Sequence, residues 1–192
     1  MTRREKLHQI TLEEILTIAR RQISESGTEG LSMNAIAHQM GMSGPALYRY
    51  FNSRDDLVAA LTSAAGSALQ DFLEIIRQEH HSDSPSQRLK SVLLAYRRWA
   101  ITHPAEYQLL LAGVHAAALV KLEALLEPAL VALEEIGPPE SLVTDAFWVT
   151  WTHLHGWISL EIASRLPPGL EDVEKEYARE IDVFLGLNSG TL

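Results

Sequence analysis

Cysteine is absent from all 192 residues, which excludes a disulfide framework, a thiolate zinc site and a cysteine nucleophile. Long apolar runs are missing too. The most apolar stretch, Tyr107 to Leu126, is interrupted by His115, Lys121 and Glu123, so no membrane-spanning segment is expected. The first ten residues, MTRREKLHQI, are charged and lack the apolar centre of a secretory signal. Together these absences lead to the expectation of a soluble, cytoplasmic chain. Positive charge is also in short supply, with a formal net charge of -9. The deficit is uneven, because residues 1 to 56 hold as many Lys and Arg as Asp and Glu, and the whole acidic excess falls in residues 57 to 192. A neutral first quarter joined to an acidic remainder suggests two domains, 1–56 and 57–192, although solvated acidic helix faces produce the same imbalance.

Hydrophobic residues make up 46% of the chain, enough for a core, and no alternating strand pattern occurs. What recurs is helical spacing. Leu12, Ile15, Leu16, Ala19 and Ile23 mark one face of a helix with Thr11 as its expected cap and Gly27 as its stop. Met33, Ile36, Ala37 and Met40 form a second short pattern ending at Gly41. A third is expected from Ser43 to about Phe51, and Asn52-Ser53 introduces a fourth beginning near Arg54. Further helices are expected through Leu57 to Ile76, Leu89 to Trp99, Pro104 to Leu111, Leu119 to Leu126, about Ser141 to Arg165, and Leu170 to Phe184. Pro128 should kink or split one of these, and Gly137-Pro138-Pro139 and Pro167-Pro168-Gly169 read as stops. The fold class is therefore all-α.

Residues 32 to 51 meet the mechanical requirements of a helix-turn-helix. Ala37 is small where two helices must cross, Gly41 suits the turn, and Ile36, Met40, Met42 and Leu47 lock the pair together. Ser43 can cap the second helix, and Pro45 sits in a first turn that needs no N–H from it. With Leu47 and Phe51 turned inward, Gly44, Pro45, Tyr48 and Arg49 face out. Small residues at Gly44 and Ala46 would let the backbone approach a groove floor; Tyr48 and Tyr50 offer hydroxyls to phosphates, and Arg49 reaches a phosphate or a guanine edge. Arg54 would add a phosphate contact at the head of the next helix. The plain alternative is a turn between packed helices with two half-buried tyrosines.

The run GTEGLSMNAIAHQMGMSGPALYRYFNSRDDLVAAL, Gly27 to Leu61, closely resembles the DNA-binding domain of TetR-family transcriptional repressors through Gly41, Met42, Ser43, Leu47, Tyr48, Tyr50, Phe51, Ser53, Arg54, Asp55, Asp56 and Leu57. The resemblance implies an N-terminal three-helix DNA-binding head and a helical ligand-binding and dimerisation domain. It further implies a homodimer that leaves its double-stranded operator when a small molecule binds. Carried onto this chain, Ser32 and Tyr48 become phosphate contacts, and Tyr50 and Arg54 occupy similar backbone-contacting positions. Asn34, Gly44, Pro45, Ala46 and Arg49 become the positions at base edges. Because Gly44 and Ala46 have no side chain to read with, specificity would rest on Asn34 and Arg49 or on DNA shape. Farther along, His155-Gly156-Trp157 within WVTWTHLHGWISLEIASRLPPG, and HPAEYQLLL from His103, resemble a TetR subgroup with a Trp/Leu-His-Gly motif in its C-terminal domain.

Trp148, Trp151 and His155 share a helix face, which Tyr96 and Trp99 could meet from another helix. With Tyr107 they are candidates to line a pocket for a flat or greasy molecule. The bland reading is that these aromatics fill the core, and His155 alone fits a satisfied core histidine better than a ligand contact. His153 and His155 diverge on a helix, and neither Glu106 nor Glu161 has an acidic neighbour in sequence, so no metal, cofactor or catalytic site is expected. The last helix carries an apolar seam, Leu170, Val173, Tyr177, Ile181 and Phe184, that wants a partner. It could pack within its own chain, but with the apolar helix before it the resemblance implies a four-helix dimer interface through the last two helices. An activator or ligand-independent regulator of the same fold, or a helical carrier or enzyme, are the competing functions.

Overall fold

The structure, a computed structural model, describes residues 2–112 and 140–185 together with 131 and 135. All regular elements among them are helical: α1 (Arg3–Ser26), a 3-10 turn (Thr28–Gly30), α2 (Met33–Gln39), α3 (Gly44–Leu47), α4 (Arg54–Glu79), α5 (Pro85–Thr102), α6 (Pro104–Ala112), α7 (Glu140–Ile162) and α8 (Val173–Phe184). The helix expected through Leu119 to Leu126, the kink at Pro128 and the stop at Gly137-Pro138-Pro139 lie outside the described residues.

Contacts group the chain into two compact units. The first runs to Ser67 and takes in α6, reaching past residue 56. Its core joins Ile15, Ala19 and Ile23 of α1 to Met33, Ile36 and Ala37 of α2, Leu47 of α3, Leu57 and Leu61 of α4, and Ala105 and Leu109 of α6. Helix α1 begins well before the expected cap. The Thr2 hydroxyl accepts from the Glu5 N–H at 3.3 Å and the Glu5 carboxylate accepts from the Thr2 N–H at 2.7 Å, a reciprocal capping box. Thr11 is inside the helix, its hydroxyl donating to the Leu7 carbonyl at 2.9 Å. The early turns bury nothing, so apolar spacing gave no sign of them.

Gly41 ends α2 as expected, at φ 65°. The Met42 N–H donates to the Ala37 carbonyl at 2.8 Å and the Gly41 N–H to His38 at 3.1 Å, which satisfies the last carbonyls of α2 as the chain reverses. Helix α3 is shorter than expected. Its α-helical part stops at Leu47, and Tyr48 to Phe51 continue as turns that mix three- and four-residue hydrogen bonds. Ser53 caps α4 through its hydroxyl, which accepts from the Asp56 N–H at 3.0 Å.

In the second unit, α5 buries Leu89, Val92, Tyr96, Arg97 and Trp99. Arg97 is 5% exposed, and its guanidinium donates to both Glu161 oxygens of α7, at 2.8 and 2.5 Å, while lying over the Tyr177 ring of α8 at 5.5 Å. One buried cation thus ties three helices together, its desolvation offset by two charge-assisted bonds. Lys90 and Asp182 pair across α5 and α8 at 2.5 Å. Of the seam on α8, Tyr177 and Ile181 are 0% exposed within this single chain and pack with α5 and α7, the intrachain use that the spacing also allowed, while Val173 and Phe184 are half-buried.

A Gly41→Ala chain is expected to lose about 1–2 kcal/mol, the cost of a left-handed backbone in an L-residue. Leu47→Ala should lose about 2–5 kcal/mol through the cavity it leaves. Urea midpoints measured on both variants check the pair, with Leu47→Ala the lower.

Candidate nucleic-acid interface

Each residue proposed from sequence for DNA contact lies on described backbone, and none of them is fully buried. Ser32 is the N-cap of α2. Its hydroxyl oxygen accepts from the Ala35 N–H at 3.3 Å, and its own N–H donates to the Gln22 side chain of α1 at 3.0 Å, fixing where α2 begins. The hydroxyl proton is still available to an outside acceptor. Asn34 is exposed in the first turn of α2. A Cβ on Gly44 would come 3.9 Å from the side-chain Oδ1 of Asn34, so the fold sets the Asn34 amide beside the head of α3. Pro45 is exposed in α3's first turn and Ala46 half-buried.

Ser43 stands at the N-cap of α3 in extended backbone, but its side chain makes no capping hydrogen bond; its carbonyl accepts from Ala46 and Leu47 instead, at 2.9 and 3.3 Å. The expected hydroxyl cap is therefore not formed. Tyr48 is 47% exposed, and Arg49 is exposed with no acidic partner among the described residues. Tyr50 is half-buried, its ring stacked on His8 of α1 at 4.8 Å and 11°. Sequence reasoning passed over His8, because nothing in its neighbourhood shows that α1 reaches back that far.

Arg54 departs from expectation. Its guanidinium turns inward and donates to the carbonyls of Thr28 and, at 3.3 Å, Leu31, the turn between α1 and α2. It also lies 3.7 Å from Asp55. The side chain, 36% exposed, thus clamps the loop at the position expected to add a phosphate contact.

Two helices crossing at a glycine turn, with an exposed face of Ser, Asn, Tyr and Arg, make a helix-turn-helix. Comparison with known proteins is decisive. Residues 15–61 match the family model described as bacterial regulatory proteins, tetR family, and residues 89–184 match the tetracyclin repressor-like C-terminal domain. This chain belongs to the TetR family. It is 39% identical over 118 residues to the HTH-type transcriptional regulator Rv1816 of Mycobacterium tuberculosis, covering 59% of this chain and 50% of that one. The chain spans about half the length of the curated relatives it matches. The crystal structure of SCO4313 shares 28% identity at a TM-score of 0.81, covering 96% of this chain and 100% of the other. The TetR regulator PfmR from Thermus thermophilus, at 18% identity and TM-score 0.66, covers 90% and 97% of the two chains and shares the fold.

In this TetR chain the second family match begins in α5 and ends in α8. Within it the candidate ligand residues divide. Tyr96 meets Trp151 at 5.1 Å between ring centroids, and Trp151 stacks on His155 at 5.5 Å and 10°. Tyr96, Trp99 and Trp151 are buried. Trp148 lies on α7, its side chain outside the described residues, and Tyr107 is buried in the first unit with α6. His153 turns away from His155 and bonds Glu180 at 3.2 Å. Among the described residues no three His, Asp or Glu side chains gather as they would around a metal, and no helix is long and apolar enough to cross a membrane.

Burial pushes the His155 imidazole below its ordinary value of 6.5. As pH falls through that ordinary value, the unfolded chain takes up a proton that folded His155 resists, so stability is lost with acidification. Urea midpoints measured between neutral and mildly acidic pH should fall less steeply in His155→Asn than in the unaltered chain. For Arg54, a lysine keeps the charge but not the fork that reaches two carbonyls. Arg54→Lys is expected to lower stability by about 1–3 kcal/mol, read as a lower thermal midpoint.

Proposed function

We propose that this TetR-family chain is a repressor that binds a palindromic double-stranded DNA operator as a homodimer. A small hydrophobic or aromatic effector would release it. The observation that carries the reading is the exposed face of α2 and α3, where Asn34 adjoins Gly44 and Arg49 has no acidic partner among the described residues. Small residues at Gly44 and Ala46 let backbone approach base edges, Arg49 supplies a fork suited to guanine, and the hydroxyls of Ser32, Ser43 and Tyr48 suit phosphate oxygens. Tyr50, held by His8, adds a backbone contact, while Arg54 holds the loop from beneath. Catalysis has no part in this reading.

Dimerisation through α7 and α8 rests on a different face from the seam expected from sequence. Val149, His153, Gly156 and Leu160 follow one another at helical spacing, and Val149, Leu160 and Val183 of α8 are 58%, 45% and 57% exposed. A Cβ on Gly156 would meet nothing within 4 Å among the described residues. A glycine that costs helix stability and relieves no crowding among the described residues fits close approach by a second copy. The effector reading rests on Tyr96, Trp151 and His155, which bring two flat rings and one polar ring together in the domain that matches the C-terminal family model. Release would require the effector to favour the chain off DNA over the chain on it, and operator DNA must then weaken effector binding by the same factor.

Selection from a random-sequence duplex pool at near-physiological salt tests the core of this reading. Wild-type protein should enrich one inverted repeat, and Arg49→Ala should bind it with a loss of about 1–3 kcal/mol. Enrichment of nothing, or equal recovery by the Tyr48→Ala, Arg49→Ala double variant, would sink it. For the dimer, Gly156→Leu should sediment as a monomer; an unchanged dimer would rule out close approach at Gly156.

A further inference from the structure

The first turns of α1 form a helical arm beside the turn that follows α3. Its capping box fixes the helix from Arg3 onward, yet no side chain of Arg3 to Ile10 is buried. Arg3, Arg4 and Lys6 carry no ion pair among the described residues, and the nearby Glu5 carboxylate is engaged at the cap by the Thr2 N–H. Arg4 and His8, one turn apart, line the same shallow concavity as Thr2, Glu5 and Gln9. The stack of His8 on Tyr50 joins this arm to the turn that follows α3.

We propose that His8 is a positioning residue that holds the Tyr50 ring toward DNA through their stack, and that Arg4 contacts a backbone phosphate beside it. Two features on the page select DNA as the occupant: the unpaired cations of the arm and its continuity, through the His8–Tyr50 stack, with the helix-turn-helix face. The inference rests on the DNA-binding reading above. It widens the footprint without adding base-specific contacts, because an arginine on a phosphate grips all sequences alike. Tyr50 is half-buried against the core of its unit, and a flat ring stacked on it narrows the remaining χ1 conformations, the torsion that aims its hydroxyl.

Fluorescence anisotropy with a labelled mixed-sequence duplex, at two salt concentrations, tests it. Arg4→Ala should weaken binding and flatten the salt dependence by about one unit of slope. His8→Ala should weaken binding roughly twofold to tenfold, the range of an aromatic stack, and His8→Phe, which keeps a flat ring, should restore it. In a Tyr50→Ala background, His8→Ala should cost nothing further. Thermal midpoints should stay at the wild-type value, since both side chains are exposed. A clear drop in midpoint for His8→Ala would reassign it to stability and overturn its positioning role, as would failure of His8→Phe to rescue. Tyr48→Ala with Arg49→Ala is the control that separates the two levels. If this variant loses affinity while Arg4→Ala and His8→Ala bind like wild type, the arm proposal alone falls. If it too binds like wild type, or wild type does not bind, the DNA-binding reading falls with it.

Discussion

Leu47 is the buried side chain of α3, and the exposed face of the helix-turn-helix depends on where it is held. A helix of four residues cannot stand on its own, because nucleation costs more than so few hydrogen bonds return. Its position is imposed from outside by Leu47 in the core with Ile15, Ile36 and Leu57, by the left-handed turn at Gly41, and by Phe51 closing the far end. Tyr48 and Arg49 can therefore be exposed without being loose. Apolar contacts below fix the backbone, and the side chains above keep their polar groups for another molecule.

The same division of labour accounts for Arg54. A basic residue at the head of a helix invites a phosphate, but here the guanidinium holds the Thr28 and Leu31 carbonyls of the turn that delivers α2. Arg97 does similar work in the second unit, where its pairing with Glu161 over Tyr177 joins α5, α7 and α8. In both units an arginine fork ties together backbone or helices, while Tyr48 and Arg49 carry no such duty among the described residues.

Much of this was legible in the sequence, for physical reasons that differ from residue to residue. Ile15, Ala19 and Ile23 announced α1 because burial leaves a periodic trace. Gly41 announced a turn and Pro104 the start of a new helix, because their backbone preferences are local. Thr2 was missed as the cap because the turns it starts bury nothing, and Thr11, next to the first apolar residue, looked the better candidate. Ser43 was placed correctly, but whether a hydroxyl turns toward its helix is decided by a rotamer that spacing does not encode. The apolar seam of α8 was visible, while its use was not: Tyr177 and Ile181 would show the same periodicity against a partner or against α5 and α7. The His8–Tyr50 stack joins residues far apart in sequence and had no local signal.

The central claim is that DNA meets this TetR chain on α2, α3 and the turn after them, leaving the core beneath unmoved. Amide hydrogen exchange followed with and without a saturating DNA duplex tests it most directly. Protection is expected to rise across residues 32–50, with little change in α8. Equal exchange across residues 32–50 in both states, with protection arising instead around α5 and α7, would contradict the account.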